Sequence, residues 1–180
     1  MKREIFEFVE IPEGVEVNVE KNLVTAKGPE GSFEKKINLS GLEVTKEENK
    51  LKIGCKKSTK KEKKMIFTTA AHIRNMVAGV SKKFEYQLKI CFSHFPITAE
   101  VHGDEMIIKN FLGERSDRKT SLPKGAEVKV NKDMITITSV DKEVAGQAAA
   151  NIERATKVGK RDRRVFQDGI FLINKAGKEI

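Results

Sequence analysis

The 180-residue chain carries 35 lysines and arginines against 26 acidic residues, a formal net charge of +9, and that excess favours a polyanionic partner. Hydrophobic residues make up 38%, charged residues 34% and aromatics 6%, so one modest core or two small ones are allowed. Cys55 and Cys91 are too few for a disulfide scaffold. With no apolar segment after Met1 and no run of membrane-spanning length, a soluble cytoplasmic protein is expected.

Ile5 to Ile11 alternates apolar and acidic residues and reads as an N-terminal edge strand. Pro12-Glu13-Gly14 is a turn signal. Val15, Val17 and Val19 alternate with Glu16, Asn18 and Glu20 as a half-buried strand. Lys21-Asn22 turns the chain into Leu23–Lys27, and Gly28-Pro29-Glu30-Gly31 turns it again into Ser32–Asn38. A further hairpin joins Leu42–Lys46 to Leu51–Cys55 through Glu48-Asn49. Residues 1–55 hold nine basic and eleven acidic residues, whereas Lys56 to Lys64 places six lysines in nine positions. The lysine cluster is expected to be a loop entering a helix. That helix buries Ile66, Ala70, Ile73 and Val77, flanked by Met65, Thr69 and Met76, and Gly79 is expected to end it.

The second half repeats the order. Phe84–Phe92 is a strand, and Thr98–His102 with Glu105–Asn110 forms a hairpin around Gly103-Asp104. Leu112-Gly113-Glu114 takes the place of the earlier glycine turn, Arg118–Leu122 is a strand, and Pro123-Lys124-Gly125 is a turn. Ala126–Val130 and Met134–Thr138 make the last hairpin before a helix over Val144–Val158. Shifted by about 84 positions, the halves agree element by element. The fold class expected is therefore α+β, with two tandem homologous domains, each a small antiparallel sheet with one packed helix. The domains are expected at 1–81 and 82–180.

The C-terminal helix leads to the candidate site. Val144, Ala145, Ala148, Ile152 and Ala155 share one narrow face, and Gln147, Asn151 and Arg154 share a neighbouring one. Gly159 is expected to break the helix, with Lys157 and Lys160 around its end, where cations suit the dipole. Lys160, Arg161, Arg163 and Arg164 follow with only Asp162 against them. An apolar seat, a donor stripe and a guanidinium-rich exit suit a phosphate backbone better than a small substrate, because the arginine fork pairs phosphate oxygens two at a time. Gln147 and Asn151 either face water or reach 2′-hydroxyls and base edges in the shallow RNA minor groove. Gly146 costs about 1 kcal/mol against alanine inside a helix; close approach to RNA or tight packing on the sheet would each explain it. Lys60, Lys61, Lys63 and Lys64 form a secondary candidate site, either touching RNA phosphates or keeping the first domain soluble.

Catalytic and metal chemistry find little support. His72, His94 and His102 have no HxxxH or HExxH spacing and combine poorly with the two cysteines as metal ligands. Ser93, His94 and Asp104 can be written as a triad, but Ser93 lies in no GxSxG elbow. No Walker-type loop is present, and Asp168-Gly169 reads as a hairpin turn. No metal, cofactor or small-molecule substrate is expected.

Several separate motifs give the chain a family resemblance. His72–Ile90 (HIRNMVAGVSKKFEYQLKI), His94–Ile97 (HFPI), Asn110–Glu114 (NFLGE), and GQAAANIERATKV followed by KRDRRVFQDGIF up to Phe171 stand in order. In these the chain resembles large-subunit ribosomal protein L-six of the archaeal and eukaryotic type (number nine in eukaryotes). The resemblance covers nearly all the chain. Phe171 departs from it, standing where many members have tyrosine. The resemblance implies no enzymatic activity. It implies two tandem homologous domains and direct binding to large-subunit ribosomal RNA, mostly through the second. It also implies a cytoplasmic place in the large subunit among neighbouring ribosomal proteins, near the sarcin–ricin loop and the stalk base, where translation factors dock. The RNA-contacting positions it implies are Gln147, Asn151, Arg154, Lys157 and Lys160 to Arg164. The rival reading is a protein-interaction adaptor that docks basic partners through an acidic N-terminal sheet carrying Glu7, Glu10, Glu16 and Glu20.

Overall fold

The computed structural model describes residues 3–20, 22–39, 41–47 and 49–180; Lys21 and Glu48, each half of an expected hairpin turn, lie outside them. The chain divides into unit 1, Met1–Lys83, and unit 2, Phe84–Ile180.

Unit 1 runs β1 (Arg3–Glu10), β2 (Glu16–Glu20), β3 (Leu23–Gly28), β4 (Gly31–Lys36), β5 (Glu43–Glu47), β6 (Lys50–Ser58) and α1 (Lys60–Ser81). Its strands form two antiparallel sheets, β1-β6-β5 and β2-β3-β4, where a single sheet was expected. Alternation sets the register: Val17 lies opposite Ala26 and Val19 opposite Val24, and Val17, Val24 and Ala26 are buried. Helix α1 presents Ile66, Thr69, Ala70, Ile73, Met76, Val77 and Val80 to the core, the stripe that its 3.6-residue period requires.

Two expectations about α1 are corrected. The lysine cluster is not a loop: Lys56 and Lys57 belong to β6, Thr59 caps the helix, and Lys60, Lys61, Lys63 and Lys64 lie within its opening turns. A capping box explains why. The Thr59 hydroxyl accepts from the Lys61 N–H at 3.3 Å, and the Glu62 carboxylate accepts from the Thr59 N–H at 2.8 Å. The Thr59 hydroxyl also donates to that carboxylate, and this bond first, then the one from the Thr59 N–H, holds the Glu62 carboxyl below its usual range. Nor does Gly79 end the helix. It is a buried helical residue, and the chain closes two residues later, where the Lys82 N–H donates to Ala78.

Unit 2 repeats the order with β7 (Phe84–Cys91), β8 (Thr98–His102), β9 (Glu105–Lys109), a 3₁₀ turn (Phe111–Gly113), β10 (Arg118–Ser121), β11 (Glu127–Asn131), β12 (Met134–Ser139) and α2 (Lys142–Ala155). It then adds β13 (Gly169–Lys175) and β14 (Lys178–Glu179). The sheets are β10-β9-β8 and β11-β12-β7-β13-β14. The repeat is visible bond by bond: Ile37 donates to the Asn22 carbonyl at 2.8 Å, and Leu122 donates to the Asp104 carbonyl at 2.8 Å. Ile66, Thr69, Ala70, Ile73 and Val77 of α1 correspond to Ala145, Ala148, Ala149, Ile152 and Thr156 at and after α2, all buried.

Asp168-Gly169 is not a hairpin turn. Asp168 is 4% exposed, and its carboxylate accepts from the Ser93 N–H at 3.1 Å and hydroxyl at 2.9 Å. Gly169 opens β13 opposite Cys91. The hairpin lies further on, where Ala176 and Gly177 take positive φ and the Gly177 N–H donates to the Asn174 side chain at 2.9 Å.

Candidate nucleic-acid interface

Asp141 starts α2 by accepting from the Glu143 N–H at 2.8 Å. Small residues at Ala145, Ala148 and Ala149 bring the helix close onto the sheet, with Ile152 filling the far end. Beside this seat, Gln147 Nε2 donates to Asn151 Oδ1 at 2.7 Å, and Asn151 Nδ2 donates to the Ser121 carbonyl of β10 at 3.0 Å. The two amides are therefore wired in series to a strand. Asn151 spends a donor on the fold, so the stripe offers Gln147 and Arg154, both exposed, more than it offers Asn151. Packing does not demand glycine at 146: a Cβ there would lie 3.5 Å from the Tyr86 hydroxyl, an ordinary contact.

The helix ends at Ala155, four residues before Gly159, with Thr156 as its cap. Thr156 is 3% exposed; its hydroxyl donates to the Glu153 carbonyl at 3.2 Å and accepts from the Ile170 N–H at 3.0 Å. The cation seated on the helix terminus is Arg118 rather than Lys157 or Lys160. Its guanidinium donates to the Ala155 carbonyl at 2.8 Å and to the Lys157 carbonyl at 3.4 Å. It also forms a two-pronged pair with Glu114 at 2.8 and 2.6 Å and lies 4.1 Å over the Phe111 ring. Arg118 foremost, then the charge of Arg161, holds the Glu114 carboxyl below its usual range. The motif Asn110–Glu114 thus acts as a mount for the end of α2.

Beyond that mount, Lys157, Lys160, Arg161, Arg163 and Arg164 are all exposed. Lys160 takes a left-handed conformation, φ 57°, and the Val165 and Phe166 N–H groups close a turn on the Asp162 carbonyl at 3.1 and 2.9 Å. Asp162 accepts from the Arg164 backbone at 3.0 Å and guanidinium at 3.2 Å, which lowers its carboxyl pKa, the backbone bond most. Arg161 lies 4.8 Å over Phe166, while Arg164 keeps 91% of its side-chain surface. This strap is anchored at one end by Arg118 and Thr156 and at the other by Asp168 on Ser93. An exposed cationic loop with both ends fixed can meet a polyanion with little ordering left to do.

The other candidates separate. Lys60, Lys61, Lys63 and Lys64 belong to unit 1; Lys63 Nζ lies 5.9 Å from the Phe67 ring, whereas Lys61 and Lys64 line a cavity. The acidic sheet of the adaptor reading does not assemble: Glu7 and Glu10 are on β1, Glu16 and Glu20 on β2, in different sheets. Glu7 pairs with Arg74, and Glu10 with Lys50 at 3.4 Å. Ser93 bonds to Asp168 instead of His94, whose ring packs edge-on to Phe95. Among the described residues no three His, Cys, Asp or Glu side chains could hold a metal, and no helix is long and apolar enough to cross a membrane. Arg118, Glu114, Thr156 and Asp168 were not picked out by sequence reasoning as parts of the site. Glu114 stands in a quoted motif, but its partner is visible only once β10 is placed.

A family model for ribosomal protein L6 matches residues 11–83 and again 95–169. The chain belongs to the ribosomal protein L6 family. The two matches fall one in each unit, and the second takes in α2 and the whole strap. Among curated relatives, large ribosomal subunit protein uL6 of Methanobrevibacter smithii is 49% identical over 95% of this chain and 96% of its own length. The uL6 of Methanosarcina mazei is 39% identical over 98% and 100%, and that of Sulfurisphaera tokodaii 41% over 95% and 92%. These L6 relatives are structural ribosomal proteins and not enzymes.

Proposed function

We propose that the chain is a structural constituent of the large ribosomal subunit in the cytoplasm and binds large-subunit ribosomal RNA through unit 2. Lys157, Lys160, Arg161, Arg163 and Arg164 engage phosphates, and Gln147 and Arg154 set the register from α2, with Asn151 holding Gln147 in place. The observation that carries this is the strap itself: five exposed cations and one carboxylate on a loop fixed at both ends. Release of condensed counterions would supply much of the affinity. The family membership supports ribosomal RNA as the polyanion. The same reading puts the site near the sarcin–ricin loop, beside the stalk base, with translation factors and other ribosomal proteins as neighbours.

A filter-binding titration against an rRNA fragment carrying the sarcin–ricin loop tests it. Replacing Arg161→Ala and Arg164→Ala should lower the salt slope by about two units, roughly one per lost phosphate contact. An unchanged slope would remove the strap from the interface. Equal affinity for an unrelated rRNA fragment of the same size would remove the location.

A further inference from the structure

Unit 1 has a groove where unit 2 has its amide bridge. A cavity of about 510 Å³ lies between the end of β4 and α1, with Lys35 and Lys36 on one bank, Lys61 and Lys64 on the other, and Ile37, Met65, Thr69 and His72 among its walls. Its size is that of a small-molecule site. The repeat fixes what it corresponds to. Ile37 and Leu122 make the same hydrogen bond in the two units, so Lys36 stands where Ser121 stands. The matching buried stripes of the helices put Thr68 on Gln147 and His72 on Asn151. In unit 2, Asn151 reaches across to the Ser121 carbonyl and closes the space. In unit 1 the Thr68 hydroxyl turns back to the Lys64 carbonyl at 2.8 Å. The His72 ring meets Lys35 instead, Nζ to Nδ1 at 3.4 Å. The space stays open and gains a cationic rim.

We propose that this groove takes one unpaired nucleotide of single-stranded RNA, its base against Ile37, Met65 and His72 and its flanking phosphates on the two lysine banks. The choice of RNA rests on the function proposed above; the groove itself does not. An apolar slot between two cationic edges matches a base with a phosphate on either side, where stacking and charge act together. An acidic peptide could use the same lysines, but its carboxylates would gain nothing from the apolar Ile37 and Met65, which a base can cover. Lysine suits phosphate as a compact point charge.

The full-length protein can be tested with a fluorescent uridine octamer carrying 4-thiouridine at its centre. Irradiation should crosslink the thiouridine to residues 65–72, mapped by mass spectrometry. Lys61→Glu with Lys64→Glu should weaken octamer binding by about tenfold. Lys61→Gln with Lys64→Gln should weaken it in the same direction by less, which guards against misfolding of the first variant. Arg161→Ala with Arg164→Ala should leave the crosslink in place. If that strap variant keeps full rRNA affinity while the crosslink persists, the strap reading fails and the groove stands. Crosslinks confined to other segments would overturn the groove proposal. So would undiminished binding of an octamer whose central residues are abasic, or displacement of the octamer by an equimolar poly-glutamate peptide.

Discussion

In unit 1, β1 is the last strand of its sheet, whereas its counterpart β7 has β13 bonded along the corresponding side. Much else that differs between the units follows from that strand. Where β13 arrives, the helix must meet a new N–H, and Thr156 supplies the oxygen for Ile170; the equivalent position in unit 1 is Val77, a buried apolar residue. With no added strand, β1 is held by β6 alone within the sheet, and Phe6 lies over Gly54, where a Cβ would fall 2.2 Å from the ring and 2.4 Å from the Ile5 carbonyl. The matching position in unit 2 is Thr138, opposite Glu85 of β7 and Glu127 of β11. Two copies of one plan have thus diverged at the positions that answer to the presence or absence of one neighbour.

The sharpest way to break the comparison is to give unit 1 the unit 2 residue. Gly54→Thr should destabilise unit 1 by about 3 kcal/mol or more, since the side chain meets backbone as well as a ring. Loss of hydrogen-exchange protection across β1 and β6 would report it; retained protection would show that Phe6 can swing away freely. Arg118→Ala should cost unit 2 roughly 2–3 kcal/mol, because it strips the Ala155 carbonyl and the Glu114 carboxylate of their donor together. The chain has one tyrosine and no tryptophan, so Tyr86 fluorescence during urea unfolding reads unit 2 directly. Thr156→Val, which copies unit 1, should cost roughly 1–2 kcal/mol by leaving the buried Ile170 N–H without an acceptor. The smallest effect concerns pH. Glu114 has a folded pKa below its unfolded value of about 4.3, so its contribution is complete above that pH and is lost as pH falls through the folded value. Thermal melts followed by Tyr86 should be flat from neutral pH to about 5 and decline below about 4, with a shallower decline in Arg118→Ala.

Alternation and the 3.6-residue period made most elements legible in the sequence, because Val15, Val17 and Val19, and Ile66, Ala70 and Ile73, state which face is buried. The glycines misled. Gly79 and Gly159 read as helix stops, yet Gly79 is buried within α1, and α2 stops earlier because Arg118 and Thr156 hold its last turn. Asp168-Gly169 had the composition of a turn, and only the long-range bond to Ser93 reveals it as the entry to a strand. β13 was missed because GIFLINK has no polar alternation: the exposed Phe171 is as apolar as the buried Ile170 beside it. The cationic strap was fully visible as charge, but its anchoring was not: Thr156 and Asp168 adjoin it, yet what fixes each end, Arg118 on the Ala155 carbonyl and Ser93 on Asp168, comes from far away in sequence.

That anchoring bears on how the chain would respond to cutting. A trypsin-like protease finds its preferred residues, lysine and arginine, crowded between positions 157 and 164, on exposed backbone. Cleavage there would divide the polypeptide without releasing the fragment that follows. β13 would remain laced to β7 along its length, with Asp168 still clasping Ser93. A nicked molecule would migrate as two pieces in denaturing gels and as one in native ones.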